Sequence, residues 1–101
     1  MRVHELKTVG ESWDALDLHV KRAEVRFNDR DFRVDDYLVL RRLDDAGEVV
    51  PDLGLVRRVM HVFEGGRFGI EPGYVVLSLA ITGYQDQEAA FAALREQAAA
   101  G

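Results

Sequence analysis

The sequence has no cysteine, which removes disulfides, thiolate metal sites and cysteine nucleophiles together. No apolar run approaches the ~18 residues of a membrane span, and the opening "MRVHELKTVGESWD" lacks the apolar core of a signal peptide. The expectation is a cytoplasmic protein with no membrane partner. His4, His19 and His61 do not fall at metal-ligand spacing, so neither metal nor cofactor is expected. His61 is expected to be a partly buried strand residue with a hydrogen-bond partner. Basic charge is in short supply as well. Thirteen Lys and Arg stand against eighteen Asp and Glu, a net charge of −5, which argues against a sequence-blind nucleic-acid binder held by phosphate neutralisation alone.

What remains is enough for one core. The chain has 101 residues, 48% of them hydrophobic, as in a single globular domain. Charge is spread unevenly. Residues 1–42 carry nine basic and nine acidic groups, whereas residues 43–101 carry four and nine, so the second part holds the entire excess. A local cationic site in the N-terminal part is therefore compatible with an acidic protein.

Hydrophobic spacing orders the chain. Residues 2–8 read as a short strand. Thr8 and Glu11 have capping-box spacing, and Val9, Trp13, Leu16 and Val20 recur as on an amphipathic helix over 9–20. "KRAEVRF" alternates as a strand, "NDRDFRVDD" is turn-rich, and "YLVLRRL" (37–43) is a second apolar strand. "DDAGEVVPDLG" has hairpin-loop composition. "LVRRVMHVF" (55–63) is strand-like, with Val56, Met60 and Val62 on one parity, and "YVVLSLAI" (74–81) places Val75, Leu77, Leu79 and Ile81 on one face. These four should meet Leu38, Leu40, Trp13 and Leu16 in the core. From residue 84 an Ala-rich stretch reads as a terminal helix, with Asp86 as N-cap and Phe91 and Leu94 as its large apolar residues. The expected architecture is α+β: a small, mostly antiparallel β-barrel, one helix after the first strand and an added C-terminal helix. The expected units are residues 1–83 and 84–101.

The glycine-rich "EGGRFG" is followed by a strand, which removes the helix that a phosphate loop requires. The Arg pairs in "LRRLDD" and "LVRRV" read as solvated strand faces. "KRAEVRFNDRDF" is different, because seven of its twelve residues are charged. Strand alternation sets Glu24 and Arg26 on one face. Lys21, at the helix-to-strand junction, can turn toward them, and Lys7 joins if the first two strands lie close. Cations in such a group hold a phosphate or polarise a carbonyl, and the carboxylate orients the lysine or moves a proton. The competing reading is a surface ion-pair ladder worth ~0–1 kcal/mol per pair. In the loop that follows, Asn28 and Asp29 are expected to shape the turn and Phe32 to anchor it. Arg30 is either a brace to a nearby carboxylate or a ligand contact at the rim.

The stretches "HELKTVGESWDAL", "KRAEVRFNDRDFRVDDYLVL" and "FGIEPGYVVLSL" resemble the ASCH domains of the PUA-like superfamily, closest to a bacterial and phage branch of unknown function. The resemblance covers about residues 3–81 and leaves out the Ala-rich tail. The ASCH signature G-x-K-x-x-E-x-R falls on His19, Lys21, Glu24 and Arg26, with His19 standing where the family has glycine. One ASCH subgroup, the acetylcytidine amidohydrolases, uses a threonine at the position held by Glu24, so its mechanism is not carried over. The resemblance implies a PUA-like barrel with a cleft beside the helix-to-strand turn. It also implies binding of RNA or a nucleotide or nucleoside, and some ASCH proteins are ribonucleases. Lys7, Lys21, Glu24, Arg26, Asn28 and Arg30 are the candidate ligand-binding residues. Lys21 and Glu24 are the catalytic pair if the protein is an enzyme. Three readings follow: an RNA- or nucleotide-binding module, a hydrolase of RNA or a modified nucleoside, and a protein–protein interaction regulator. Charge reversal at Lys21 or Arg26 should weaken nucleic-acid binding, while Arg95, on the terminal helix, is expected to matter little.

Overall fold

The alternating segments all become strands in the structure, a computed structural model that describes residues 1–100. In chain order the elements are β1 (Val3–Thr8), α1 (Gly10–Asp17), β2 (Ala23–Phe27), β3 (Tyr37–Leu43), β4 (Val49–Glu64), β5 (Tyr74–Ile81) and α2 (Tyr84–Ala100). The strands form one sheet in the order β1-β3-β4-β5-β2. β1 runs parallel to β3, and the other three pairings are antiparallel. A parallel pair needs a long crossover, supplied here by α1, β2 and the loop leading to β3. The sheet curls into a half-barrel. The expected barrel is only partly realised, because β1 and β2 are free edges with no backbone ladder between them.

The concave face holds the main core. Leu6, Leu38, Leu40, Val59, Val75 and Leu77 are buried there beneath Trp13 and Leu16 of α1 and Phe32 of the loop. The Trp13 indole N–H donates to the Leu40 carbonyl at 2.8 Å, which satisfies its one polar group inside the core. Leu79 packs at the margin. Ile81 does not join them: it is 67% exposed, because the sheet runs past the helix that covers its neighbours.

The convex face carries a second, smaller core. Val3, Val39 and Val56 are buried against Ala90 of α2, with Phe91, Ala93 and Leu94 packed alongside. Alanine on the contact side lets this helix lie close to the sheet. Asp86 lies in its first turn and is not its N-cap, since the helix starts at Tyr84. Burial, reinforced by the negative charge of Asp86, pushes the Tyr37 hydroxyl pKa up. The tail expected over 84–101 is a helix to residue 100 that packs on the sheet through Ala90, Phe91, Ala93 and Leu94, and Gly101 lies outside the described residues.

Local geometry differs from the sequence reading at several points. β4 is longer than 55–63 and absorbs most of the expected hairpin loop; its turn is the tight "DDAGE" segment, where Asp44 Oδ1 accepts from the amides of Ala46 and Glu48. A bulge between Val59 and His61 resets its alternation. Val56 therefore faces α2, Val62 faces the main core and Met60 is exposed. His61 is exposed too. The buried histidine is His4, whose Nε2 lies 2.9 Å from Asp36 Oδ2. Arg57 is not on a solvated face. It is 6% exposed on the concave side and donates to the carbonyls of Val56 and Leu16, each at 3.0 Å. The "EGGRFG" glycines are structural: a Cβ on Gly65 would stand 2.1 Å from the Glu71 carbonyl oxygen.

Candidate functional site

Helix α1 is shorter than its apolar spacing implied, and its exit builds the site. The helix ends at Asp17, the amides of Val20 and Lys21 both donate to the Ala15 carbonyl, and His19 sits at φ +60°. That is the left-handed conformation that glycine adopts most freely and that His tolerates better than most residues. His19 thus makes a tight left-handed turn at the position where the resemblance set out above has glycine. Thr8 does not cap the helix, since Val9 occupies the cap position without a side-chain bond. The Thr8 hydroxyl is used elsewhere.

The turn delivers Lys21 to Glu24. Lys21 Nζ donates to Glu24 Oε1 and to the Ala23 carbonyl. Arg26 Nε donates to the other carboxylate oxygen, Glu24 Oε2, at 3.1 Å. Glu24 is 6% exposed, so a nearly buried carboxylate is held between two cations whose outer surfaces reach solvent. Burying a carboxylate without such partners would be costly. Arg26 then reaches across the open edge of the half-barrel, giving one bond to the Lys7 carbonyl and one to the Thr8 hydroxyl, both at 3.0 Å.

The seam between β1 and β2 is therefore stitched by guanidinium groups. Arg30 Nη1 donates to the Glu5 carbonyl at 2.9 Å, and Arg2 donates to the carbonyls of Asp31 and Arg30. These bonds occupy carbonyls that an edge strand would otherwise present to another chain. Asp36 supports the loop from within by accepting the Arg33 amide.

Three clefts run along this seam and share walls. The first, about 400 Å³, is lined by Lys7, Thr8, Ser12, Lys21, Glu24 and Arg26 among others. The second, about 460 Å³, shares Lys7 and Arg26 and adds Arg30, Arg41 and Phe27. The third, about 630 Å³, shares Arg30 and Arg41 and ends at Arg95 of α2. Six cations thus follow one groove, accompanied by Glu24, Glu5 and Asp29. Arg41 pairs with Glu5 and lies over the Phe91 ring. Among the described residues Lys7 makes no ion pair, and Phe27 is 56% exposed.

The expected site residues divide accordingly. Lys7, Lys21, Glu24, Arg26 and Arg30 all line the groove. Asn28 does not line these three clefts: its Oδ1 accepts the Phe32 amide at 2.9 Å, which shapes the turn as expected. Arg30 acts as a brace to the β1 backbone more than to Asp29, whose carboxylate is 4.0 Å away, and it lines the rim as well. Thr8, Phe27 and Arg41 line the groove as well, although spacing does not single them out, and Arg95 of the terminal helix lies at its far end. Thr8 was read as a cap because of its spacing to Glu11. The exposure of Phe27 and the reach of Arg41 and Arg95 depend on the curl of the sheet and the docking of α2, which spacing does not encode. Among the described residues no cluster of His, Asp and Glu is placed to hold a metal ion.

Fold and cleft together define a small α+β half-barrel whose open seam is a basic, arginine-stitched groove. The chain belongs to the family described as a domain of unknown function (DUF3850), which matches residues 3–79. The match spans β1 through nearly all of β5 and leaves α2 outside. No curated protein matches the chain. No helix among the described residues is long and apolar enough to cross a membrane.

Proposed function

We propose that the seam groove binds single-stranded RNA or a nucleotide, as an ASCH-type module on a PUA-like half-barrel. The carrying observation is the Lys21–Glu24–Arg26 clamp. A nearly buried carboxylate fixes two cations at the floor of a groove that continues past Lys7, Arg30, Arg41 and Arg95. Backbone-tracking cations beside an exposed aromatic ring are the common means of holding a single strand, with the ring stacking on a base. Phe27, braced edge-on by Tyr74 at 5.4 Å, is placed for that contact. The net negative charge of the chain keeps the attraction local to the groove.

Lys7→Glu is the cleanest test, because the Lys7 side chain carries no bond that holds the seam. Its binding to a short single-stranded RNA should fall roughly tenfold, with the salt slope reduced by about one unit. Arg58→Gln, on a residue paired with Asp35 away from the groove, should bind as the unmodified protein does. Equal losses in both variants, or no binding by the unmodified protein at low salt, would overturn the reading.

One observation favours a second reading, a hydrolase acting on RNA or a modified nucleoside. The geometry required of an acid–base pair is present, since Glu24 is in hydrogen-bond contact with Lys21. Both Glu24 oxygens are nevertheless committed to cations, so it serves first as an orienting group. Turnover of nucleosides or RNA that is abolished in Glu24→Gln with unchanged affinity would establish the enzyme.

A further inference from the structure

A separate pocket of about 480 Å³ opens between the C-terminal end of α1 and strands β4 and β5, and it shares only Lys21 with the seam groove. Leu16, Leu79 and Ile81 make its apolar wall, and its ionisable lining groups are His19, Lys21, Arg22 and Arg57, with no carboxylate. Its volume falls within the ~300–1,000 Å³ of small-molecule sites, which pair apolar walls with a few convergent polar groups.

Arg57 is the unusual member. It is 6% exposed and its bonds go to two backbone carbonyls, with no salt bridge to any carboxylate among the described residues. A guanidinium has five N–H donors, so these two bonds leave three uncommitted. Among the described residues no side-chain nitrogen or oxygen is both fully buried and without a partner. The Nε of Arg57, which makes no bond, is therefore not fully buried, and Arg57 is one of the residues lining this pocket. Burial pushes the Arg57 pKa down, opposed only by the more distant charge of Asp17. A buried cation of this kind lacks the counter-ion that normally accompanies it. Arg22 stands at the same pocket with one long contact, Nε to the His19 carbonyl at 3.4 Å. Ile81, stranded beyond the core, offers apolar surface beside both.

We propose that this pocket is a second binding site, for a small organic anion: a carboxylate or phosphate carried on an apolar ring or chain. Arg57 and Arg22 hold the anionic head, and Leu16, Leu79 and Ile81 pack the body. The proposal does not rest on RNA binding at the seam, with which this pocket shares only Lys21.

The test is an NMR titration of the full chain, following the Leu79 and Ile81 methyl groups, with phenyl phosphate, benzoate, benzyl alcohol and inorganic phosphate. Phenyl phosphate or benzoate should give saturable shifts, and the tighter of the two identifies the head. Benzyl alcohol, which lacks the charge, and inorganic phosphate, which lacks the body, should bind roughly tenfold or more weakly. Arg22→Glu, an exposed change, should weaken the anion by a similar factor without altering the melting temperature. Lys7→Glu should leave this titration unchanged while RNA binding at the seam falls. Arg57→Met should abolish anion binding if its methyl spectrum shows the native fold, and Arg22→Glu decides the matter if it does not. The proposal is overturned by absence of a saturable shift with either anion, by benzyl alcohol binding as tightly as the anions, or by undiminished binding in Arg22→Glu.

Discussion

Glu24 and Arg57 are charged residues of opposite sign, equally buried on the concave face of the same half-barrel, and the protein treats them differently. Glu24 meets a cation at each oxygen. Arg57 meets only main-chain carbonyls. The first is compensated within the chain by the two cations that hold it, and the groove presents those cations at its wall. The second is solvated by peptide dipoles, partly as a positive charge at the C-terminal end of α1, where such a charge is favourable, and it keeps donors for something else. Burial alone does not distinguish a structural charge from a receptive one; the identity of the partner does.

The largest effect tests the dry floor that both regions share. Leu77 is fully buried and is the ladder partner of Glu24. Leu77→Ala should cost ~2–5 kcal/mol of unfolding free energy, read by denaturant titration. A smaller loss would mean that the floor is already wet and the contrast between the charges weaker. Next, Glu24→Gln should cost ~1–3 kcal/mol, because it removes the charge that Lys21 and Arg26 share. Arg57→Met should be milder, since an apolar chain of similar length can replace a buried cation at little net cost. The reverse order in the same titration would break the comparison outright.

Smaller effects sharpen it. His19→Gly should gain up to ~1 kcal/mol, offset in part by the added freedom of the unfolded chain, because the left-handed φ costs glycine nothing. A loss measured there would show that the imidazole itself supports the Arg57 pocket. The smallest effect concerns pH. The hydrogen bond from Arg42 holds the Asp14 carboxyl below the usual carboxylate range, and Arg33 does the same for Asp31. A depressed folded-state pKa stabilises above the unfolded value, about 4, and that share is lost as pH falls through the depressed value. The melting-temperature gap between the unmodified protein and Asp14→Asn should therefore be open near neutral pH and close in stronger acid.

Much of the fold was legible because each half-buried strand writes its burial in alternation. Val75, Leu77 and Leu79, Leu38 and Leu40, and Trp13 and Leu16 all lie in or at the edge of the core that their spacing indicated. The clamp was legible for the same reason: Glu24 and Arg26 share a parity, and Lys21 stands at the junction between the helix and their strand. Ile81 and Arg57 were not. Both have the parity of the concave face, but what covers them depends on where α1 stops, and that was set by the left-handed His19 and not by the apolar spacing that continued to Val20. Asp36 was hidden because His4 meets it only through the parallel β1–β3 arrangement, which the topology creates; its other partner, the Arg33 amide, is a local turn contact three residues away.

The bulge at Met60 has a consequence for how this chain tolerates changes of length. Val59 pairs with Leu79, His61 with Ser78 and Val62 with Leu77, so Met60 is the one residue of that stretch without an opposite number. Its removal would leave Val59 inward, His61 outward and Val62 inward in an uninterrupted ladder, at the cost of the local bend. Loss of a neighbour such as Val56 would instead invert the facing of the residues on one side and present Arg58 or His61 to the core. Strand β4 thus has one position where a codon can be lost without scrambling inside and outside, and relatives differing by one residue in this strand should differ there.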